Sequence, residues 1–392
     1  MENFDFYSPT YFAFGRDSER RTGELVRRFG GTRVLLHYGG GSAIRSGLVD
    51  RVRDSLSAAD VTWVELGGVK PNPRSGLVYE GIELCRREEV DFVLAVGGGS
   101  VIDSAKAIAA GTVYEGDFWD FYEGRPVTEA LPVGTVLTIA AAGSEGSTDS
   151  VITKEEGMIK RAASGDVIRP RFSILNPALQ VTLPAYQTAC GVTDILAHLY
   201  ERYLTRTPEV EVTDRMIEAL MMAVIREGAR AVKEPQNYDA RANLLWAGMM
   251  AHNNSCGVGR TQDWTSHLLE HELSALYDCA HGAGLAVAMP AVFSAVLERD
   301  VMRFAKVAVR VWGCDMDFDC PERTARAGVE ALKRFLVSIG MPVNFEQLGV
   351  REEDIPYLAH TCVWGSEHGD GFVHGFADLS EAEVADIYRR MV

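Results

Sequence analysis

The sequence predicts an α/β protein in two parts: an N-terminal domain on a parallel sheet over residues 1–180 and an all-α domain over residues 181–392. Three observations predict it. Between Arg33 and about Asn176, short β-branched or apolar runs alternate with helically patterned segments, the signature of a parallel sheet covered by helices. After Pro177 strand-like runs nearly vanish, and apolar residues recur at three- and four-residue spacing. A chain of 392 residues, 47% of them apolar, can bury a substantial core, and its length favours two domains over one.

The elements follow in order. Tyr11–Phe14 reads as an extra strand, and Val34–Tyr38, Val61–Leu66, Phe92–Val96 and Val136–Ile139 read as strands of the sheet. The first three of these four run into glycine or proline breaks and then into helical spacing, as in Ala43–Ser57 and Gly76–Arg87. The turn-rich stretch from Asn176-Pro177-Ala178-Leu179 to Leu183-Pro184 reads as a hinge. Beyond it, Asp214–Val232, Tyr238–Asn253 and Glu322–Ile339 read as helices.

The formal net charge is −16, which repels polyphosphate and anionic lipid and so argues against nucleic-acid and membrane-surface partners. An anionic small molecule would need its own local site. Met1–Phe6 lacks the basic and apolar regions of a leader, and no stretch approaches the length that spans a bilayer, so the expected location is cytoplasmic. The seven cysteines are scattered, with no C-x-x-C pair, and read as reduced thiols.

Two glycine-rich turns carry ligand chemistry. Leu94-Ala95-Val96-Gly97-Gly98-Gly99-Ser100 leads from a buried strand into a helix that continues through Asp103 and Lys106. Glycines let backbone approach a ligand closely, and a new helix aims free N–H groups at an anion such as a pyrophosphate. The turn is not the G-x-G-x-x-G fingerprint, and Ser100 with Asp103 also reads as a capping box. A similar turn, Tyr38-Gly39-Gly40-Gly41-Ser42, follows the first strand of the sheet. Both would lie beyond the C-terminal edge of the strands, where α/β sheets bind ligands.

The helical half holds a second constellation. Asp194 and His198 stand four residues apart, as do His267 and His271, and on helices each pair shares a face. His281-Gly282 follows ten residues after His271. Three of these histidines with one carboxylate would make a borderline N/O site suited to Fe(II) or Zn(II), with room left for substrate. The His-x-x-x-His-Glu order is not the zinc-protease arrangement. Spacing alone does not make the side chains converge, because four-residue pairs are common by helix geometry.

The order and spacing of these motifs resemble the iron-containing alcohol dehydrogenase family over nearly the whole chain. The marks are Gly97-Gly98-Gly99-Ser100-x-x-Asp103-x-x-Lys106, Lys70-Pro71-Asn72-Pro73, Gly143-Ser144-Glu145, Asp194-x-x-x-His198 and His267-x-x-x-His271 with His281-Gly282. The Gly39–Ser42 turn and Gln262-Asp263-Trp264 are similar to the butanol dehydrogenase and broad-range NADPH-dependent aldehyde reductase branch. The resemblance implies a Rossmann-like dinucleotide-binding domain, a helical domain and a site in the cleft between them. It implies Asp194, His198, His267 and His281 as ligands of one divalent metal, Fe(II) or Zn(II), and His271 as a non-ligand histidine beside the nicotinamide. It implies Gly98, Gly99 and Ser100 as the pyrophosphate loop with Asp103 nearby, and Asn72, Thr138 and Lys160 as further cofactor contacts. It also implies a homodimer in which the N-terminal strand pairs across subunits.

Within that resemblance, Gly39 replaces the aspartate that ends the first strand in NAD-preferring members. Gly40, Gly41 and Ser42 offer backbone N–H groups and a hydroxyl as a small anion nest, so NADP(H) is expected in preference to NAD(H). Ala140 and Ala142 depart from the usual proline and threonine before Gly143-Ser144-Glu145 and remove one hydroxyl near the cofactor. The implied reaction is hydride transfer between nicotinamide C4 and the carbonyl carbon of an aldehyde, with the ion as Lewis acid and His271 as proton relay. A glycerol or polyol dehydrogenase, a dehydroquinate-synthase-like lyase, and a non-catalytic metal- or nucleotide-binding protein are the alternatives on the same scaffold.

Overall fold

Apolar runs followed by amphipathic helices become parallel strands, because each helix returns the chain to the same end of the sheet. In the computed structural model, which describes residues 1–365 and 369–392, Tyr7–Leu183 form one unit and Pro184–Val392 with Met1–Phe6 another. In the first unit the strands are β1 (Tyr11–Phe14), β2 (Arg33–Gly39), β3 (Thr62–Val69), β4 (Phe92–Gly97), β5 (Val133–Leu137), β6 (Asp149–Lys154), β7 (Ile159–Ser164) and β8 (Phe172–Leu175). Six of them form an all-parallel sheet in the order β1-β8-β5-β4-β2-β3. Every residue of β4 is buried, as a central strand covered on both faces requires. The chain passes from β2 outward to β3, returns across β2 to β4, and continues to β5 on the other side. The reversal between β2 and β4 is the crevice where open α/β sheets take ligands.

The intervening helices are α1 (Thr22–Arg28), α2 (Ser42–Arg45), α3 (Leu48–Ala58), α4 (Ser75–Arg87) and α5 (Gly99–Val113). The expected helix Ala43–Ser57 is divided at Gly47, whose φ of 68° leaves the helical region and opens α3. The expected strand Val136–Ile139 lies earlier, at Val133–Leu137, its pairing with β4 ending where Thr138 N–H donates to Gly97 O at 3.0 Å. Not assigned from sequence were α1, the short strand β8 and the antiparallel β6–β7 hairpin, which lies outside the main sheet.

In the second unit α6 (Ala185–Tyr203), α7 (Glu211–Lys233), α8 (Tyr238–His252), α9 (Thr265–Tyr277), α10 (His281–Val296), α11 (Val301–Arg310) and α12 (Pro321–Ser338) pack together, with smaller helices and a two-stranded ribbon completing it. One expectation is corrected here: residues 281–299 are long and apolar enough to cross a membrane by length and composition. Their sequence gives no sharp signal because alanine and glycine dilute the apolar run. In the fold 78% of that window is buried inside the helical unit, which is the setting of a core helix.

Candidate active site

Helix α6 carries Asp194, His198 and Glu201 at intervals of four and three residues, so all three line one stripe. Helix α9 carries His267, Glu270 and His271 at i, i+3 and i+4, again on one face, and His281 is the first residue of α10. Glycines set how closely these helices approach. A Cβ on Gly282 would lie 2.1 Å from Cys190 O, so the start of α10 touches the backbone of α6 only because residue 282 has no side chain.

That contact brings the predicted ligands together. His198 Nε2, His267 Nε2 and His281 Nε2 stand 3.3, 3.6 and 3.7 Å from the same oxygen, Asp194 Oδ1. Donor atoms of Asp194, His267 and His281 all lie within 4.8 Å of one another. Ligands about 2.1 Å from a tetrahedral ion are spaced about 3.4 Å apart, close to the carboxylate-to-imidazole separations here. Asp194 Oδ1 and His267 Nε2 are buried and make no hydrogen bond, a cost of about 1–3 kcal/mol each if nothing else satisfies them. A divalent cation is a group that satisfies both, so the residues fit a metal. Burial works against the charge of Asp194, yet His281 and His198 hold its carboxyl well below the ordinary range. Burial, with His252 and His267 alongside, pushes His198 well down and keeps its ring neutral. Burial opposes a charge on His267 as well, but Glu201 and Asp194 outweigh it and push it up to about 10.

His271 stands apart from the ligand cluster. Its ring centroid is 6.3 Å from that of His267 and 5.9 Å from that of His281, and the residue is buried. Gln262-Asp263-Trp264 shapes the approach to α9. Gln262 Nε2 donates to Asn254 Oδ1 and Gly257 O, Asp263 Oδ1 accepts from Thr265 and from Phe376 N–H, and Trp264 packs edge-on against His198, His252 and His267. Burial pushes the Asp263 carboxyl up to about 6.

The glycine-rich turns sit in the sheet as expected. Tyr38 and Val96 are paired neighbours, so Gly39–Ser42 and Gly97–Ser100 leave β2 and β4 on the two sides of the crevice. Gly98 is the N-cap of α5, with no side-chain capping bond, so the Ser100–Asp103 capping box does not form. A Cβ on Gly98 would lie 2.5 Å from Ile139 Cγ2, and one on Gly99 3.1 Å from the Ala142 Cβ, so the loop 139–142 lies directly over these glycines. Gly41 has φ 133°, and the Arg45 guanidinium lies over it, Nη1 being 2.9 Å from where a Cβ would stand. The hairpin β6–β7 brings Lys160 to the turn after β3, where its Nζ donates to Asn72 Oδ1 at 3.1 Å; Asn72 itself holds φ 51°. Thr138 follows β5 beside Gly97.

Asp103 is placed differently from the loop residues. Its Oδ1 accepts from Ser144 Oγ at 2.6 Å and its Oδ2 from Val151 N–H at 3.1 Å, tying α5 to the chain that enters β6. Lys106, fully buried on the same helix, donates to Ser144 Oγ, Ser147 O and Asp149 O at 2.7–3.0 Å. Burial pushes the Lys106 ammonium down to about 8 and the Asp103 carboxyl up to about 6, each moderated by its neighbour. Replacing Lys106 with methionine should lower unfolding free energy by about 3 kcal/mol, the cost of leaving a buried network without its cation. Urea unfolding followed by circular dichroism measures it, and a loss below about 1 kcal/mol would count against the network.

Sequence reasoning missed Glu201 and Glu270. Both side chains are fully buried; Glu201 accepts from His267 Nδ1 and N–H, and Glu270 is hydrogen-bonded to His281 Nδ1. A signal existed, since each glutamate falls three residues after a predicted ligand on the same helix, the spacing that keeps it on the ligand face. Arg202 and His252 were missed as well: Arg202 donates to His198 O at 3.1 Å and to His252 Nδ1 at 2.9 Å, and the His198 and His252 ring centroids are 4.1 Å apart.

Comparison with known proteins bears on the same residues. A family model described as iron-containing alcohol dehydrogenase matches residues 9–177, and one described as Fe-containing alcohol dehydrogenase family, C-terminal, matches residues 188–392. The chain is 40% identical to a probable NADH-dependent butanol dehydrogenase of Bacillus subtilis over 390 residues, 99% of either chain. It is 35% identical to an NADPH-dependent aldehyde reductase of Escherichia coli over 373 residues, 94% of each. The crystal structure of an NADH-dependent butanol dehydrogenase A from Thermotoga maritima superposes with a TM-score of 0.96 at 38% identity, covering 100% of this chain and 99% of that one.

Proposed function

The chain belongs to the iron-containing alcohol dehydrogenase family, and on that premise we propose that it is a metal-dependent enzyme transferring a hydride between NADP(H) and a primary alcohol or its aldehyde. One observation carries the reading: three imidazole nitrogens stand 3.3–3.7 Å from a single buried carboxylate oxygen that has no hydrogen-bond partner. Asp194, His198, His267 and His281 would hold a divalent ion, Fe(II) or Zn(II). When bound, that ion supplies Lewis acidity to the substrate oxygen, and the nicotinamide supplies or takes the hydride.

The chain's own residues do the rest. Gly98, Gly99 and Ser100 at the start of α5 hold the pyrophosphate, and the turn Gly39–Ser42 holds the adenosine end. Asn72, braced by Lys160, and Thr138 orient the cofactor between those anchors. Asp103, close to that loop, is held by Ser144 and Val151 and contributes to the cofactor site from there. His271 carries a proton between the substrate oxygen and solvent. The preference for NADP(H) is supported by the absence of a carboxylate at residue 39 and by Arg45 over Gly41. Glu65, on the neighbouring strand, is engaged by Arg53 at 2.6–2.8 Å and by Tyr38 at 3.0 Å. We further read the enzyme as a cytoplasmic homodimer. Its seven free thiols suit a reducing compartment, and β1, at the edge of the sheet, offers a strand for pairing between subunits.

The deciding assay offers short-chain aldehydes and alcohols with each cofactor and added metal. Cofactor consumption in step with aldehyde loss is the expected result. A lyase on this scaffold would convert its substrate with no net change in cofactor, and a binding protein would do neither. For His271, replacement by alanine should leave metal content unchanged and slow turnover by about 10²-fold or shift its pH dependence. Metal loss matching that of a His267→Ala variant would mean that the two histidines have exchanged roles.

A further inference from the structure

We infer that Glu201 and Glu270 are positioning residues for the metal: two buried outer carboxylates that fix which nitrogen of His267 and of His281 faces the ion and hold both rings in ligating orientation. The inference rests on the metal reading above. Imidazole has two nitrogens, and a ring ligates through Nε2 only when the proton sits on Nδ1. A carboxylate accepting from Nδ1 enforces that choice, and losing an outer partner of this kind costs about 10–100-fold in metal affinity. His267 Nδ1 is held by Glu201 and His281 Nδ1 by Glu270, with neither glutamate exposed to solvent.

The surroundings are built for these two contacts. Glu201 also accepts from the backbone N–H of His267 at 3.0 Å, so its carboxylate is fixed to α9 at two points. Glu270 lies against Gly284 of α10, where a Cβ would come within 2.7 Å of Glu270 Cγ. Glycine at 284 therefore makes the space that lets Glu270 reach His281 on the same helix. The third histidine differs: Arg202, a cation, faces His198, its Nη1 being 3.5 Å from His198 Nδ1 and 3.1 Å from His198 O. The three imidazoles are thus not equivalent. At Nδ1, His267 and His281 are held by anionic partners, and His198 is not.

Co(II) is the probe, added to metal-free protein and titrated against a competing chelator, with the visible ligand-field spectrum as a second readout. Glu201→Gln and Glu270→Gln preserve shape and remove the charge, and each should weaken Co(II) binding by about 10–100-fold. Gly284→Ala should weaken it by displacing Glu270 with both carboxylates retained. The Co(II)-saturated spectra of the glutamine variants should change in band position or intensity, which a merely structural residue would not cause, while the melting temperature of the metal-free proteins stays within a few degrees. Wild-type and variant proteins binding Co(II) within about twofold of one another, with superimposable spectra, would overturn the inference and leave the metal reading intact. A wild-type protein that binds neither Co(II) nor Zn(II) would overturn both.

Discussion

Replacing His281 with alanine should empty the site of its ion and lower turnover by about 10³-fold or more while leaving the fold in place. The size follows from what the ion contributes. Lewis-acid stabilisation of charge on a reacting oxygen is worth several kcal/mol, and about 4 kcal/mol corresponds to 10³ in rate. Of the proposed ligands, His281 is the one to remove, because its side chain is 26% exposed while that of Asp194 is 5% exposed. Its loss opens the site toward solvent and leaves no sealed cavity in the core. Removing Asp194 would instead strand three imidazoles around an uncharged gap, so a loss of activity there could come from repacking. Elemental analysis, far-ultraviolet circular dichroism and steady-state rates on the same preparation separate the possibilities. A His281→Ala protein with full metal content would show that the ion is held by other groups. An unfolded one would shift the test to His281→Gln.

How far the site was legible depends on the kind of information involved. Periodicity placed Asp194 and His198 on one helical face and His267 with His271 on another, because that is local geometry. It could not say that α6, α9 and α10 converge, since that depends on Gly282 meeting the Cys190 backbone and Gly284 packing on Glu270. A glycine in a helix looks like a weak helix former until its neighbour is known. The outer glutamates were hidden for another reason: acidic residues on helices usually face water, and only the fold shows that Glu201 and Glu270 are buried. In the sheet, β2 and β4 were legible because continuous apolar runs mark buried parallel strands. The β6–β7 hairpin was not, since its strands mix charged and small residues and gain their order from docking on the turn after β3, where Thr153 N–H donates to Pro73 O at 2.8 Å. That hairpin delivers Lys160 to Asn72, so one cofactor contact implied by resemblance had no local structural argument behind it.

On the proposed preference for NADP(H), introducing aspartate at Gly39 should reverse the cofactor choice, cutting kcat/KM for NADPH by about 30–150-fold while leaving that for NADH unchanged or improved. The backbone admits the change. Gly39 ends β2 without positive φ, and a Cβ there would meet only Val69 O at 3.6 Å and Val101 Cγ2 at 3.7 Å, both ordinary contacts. A carboxylate at that point can accept from the two hydroxyls of an adenosine ribose, and the same charge repels a phosphate on the 2′ oxygen. Two such groups about 5 Å apart, partly screened, cost about 2–3 kcal/mol, which sets the expected factor. Arg45 supplies the opposite test. Its guanidinium stands over Gly41 in this turn, so Arg45→Ala should also weaken NADPH use, by removing attraction and adding no repulsion. The two substitutions act on one phosphate, so their effects on NADPH should fall short of additive when combined. If the unmodified enzyme already uses NADH as well as NADPH at low cofactor concentration, the glycines of this turn serve only its tight geometry, and the anion nest has no 2′-phosphate to hold.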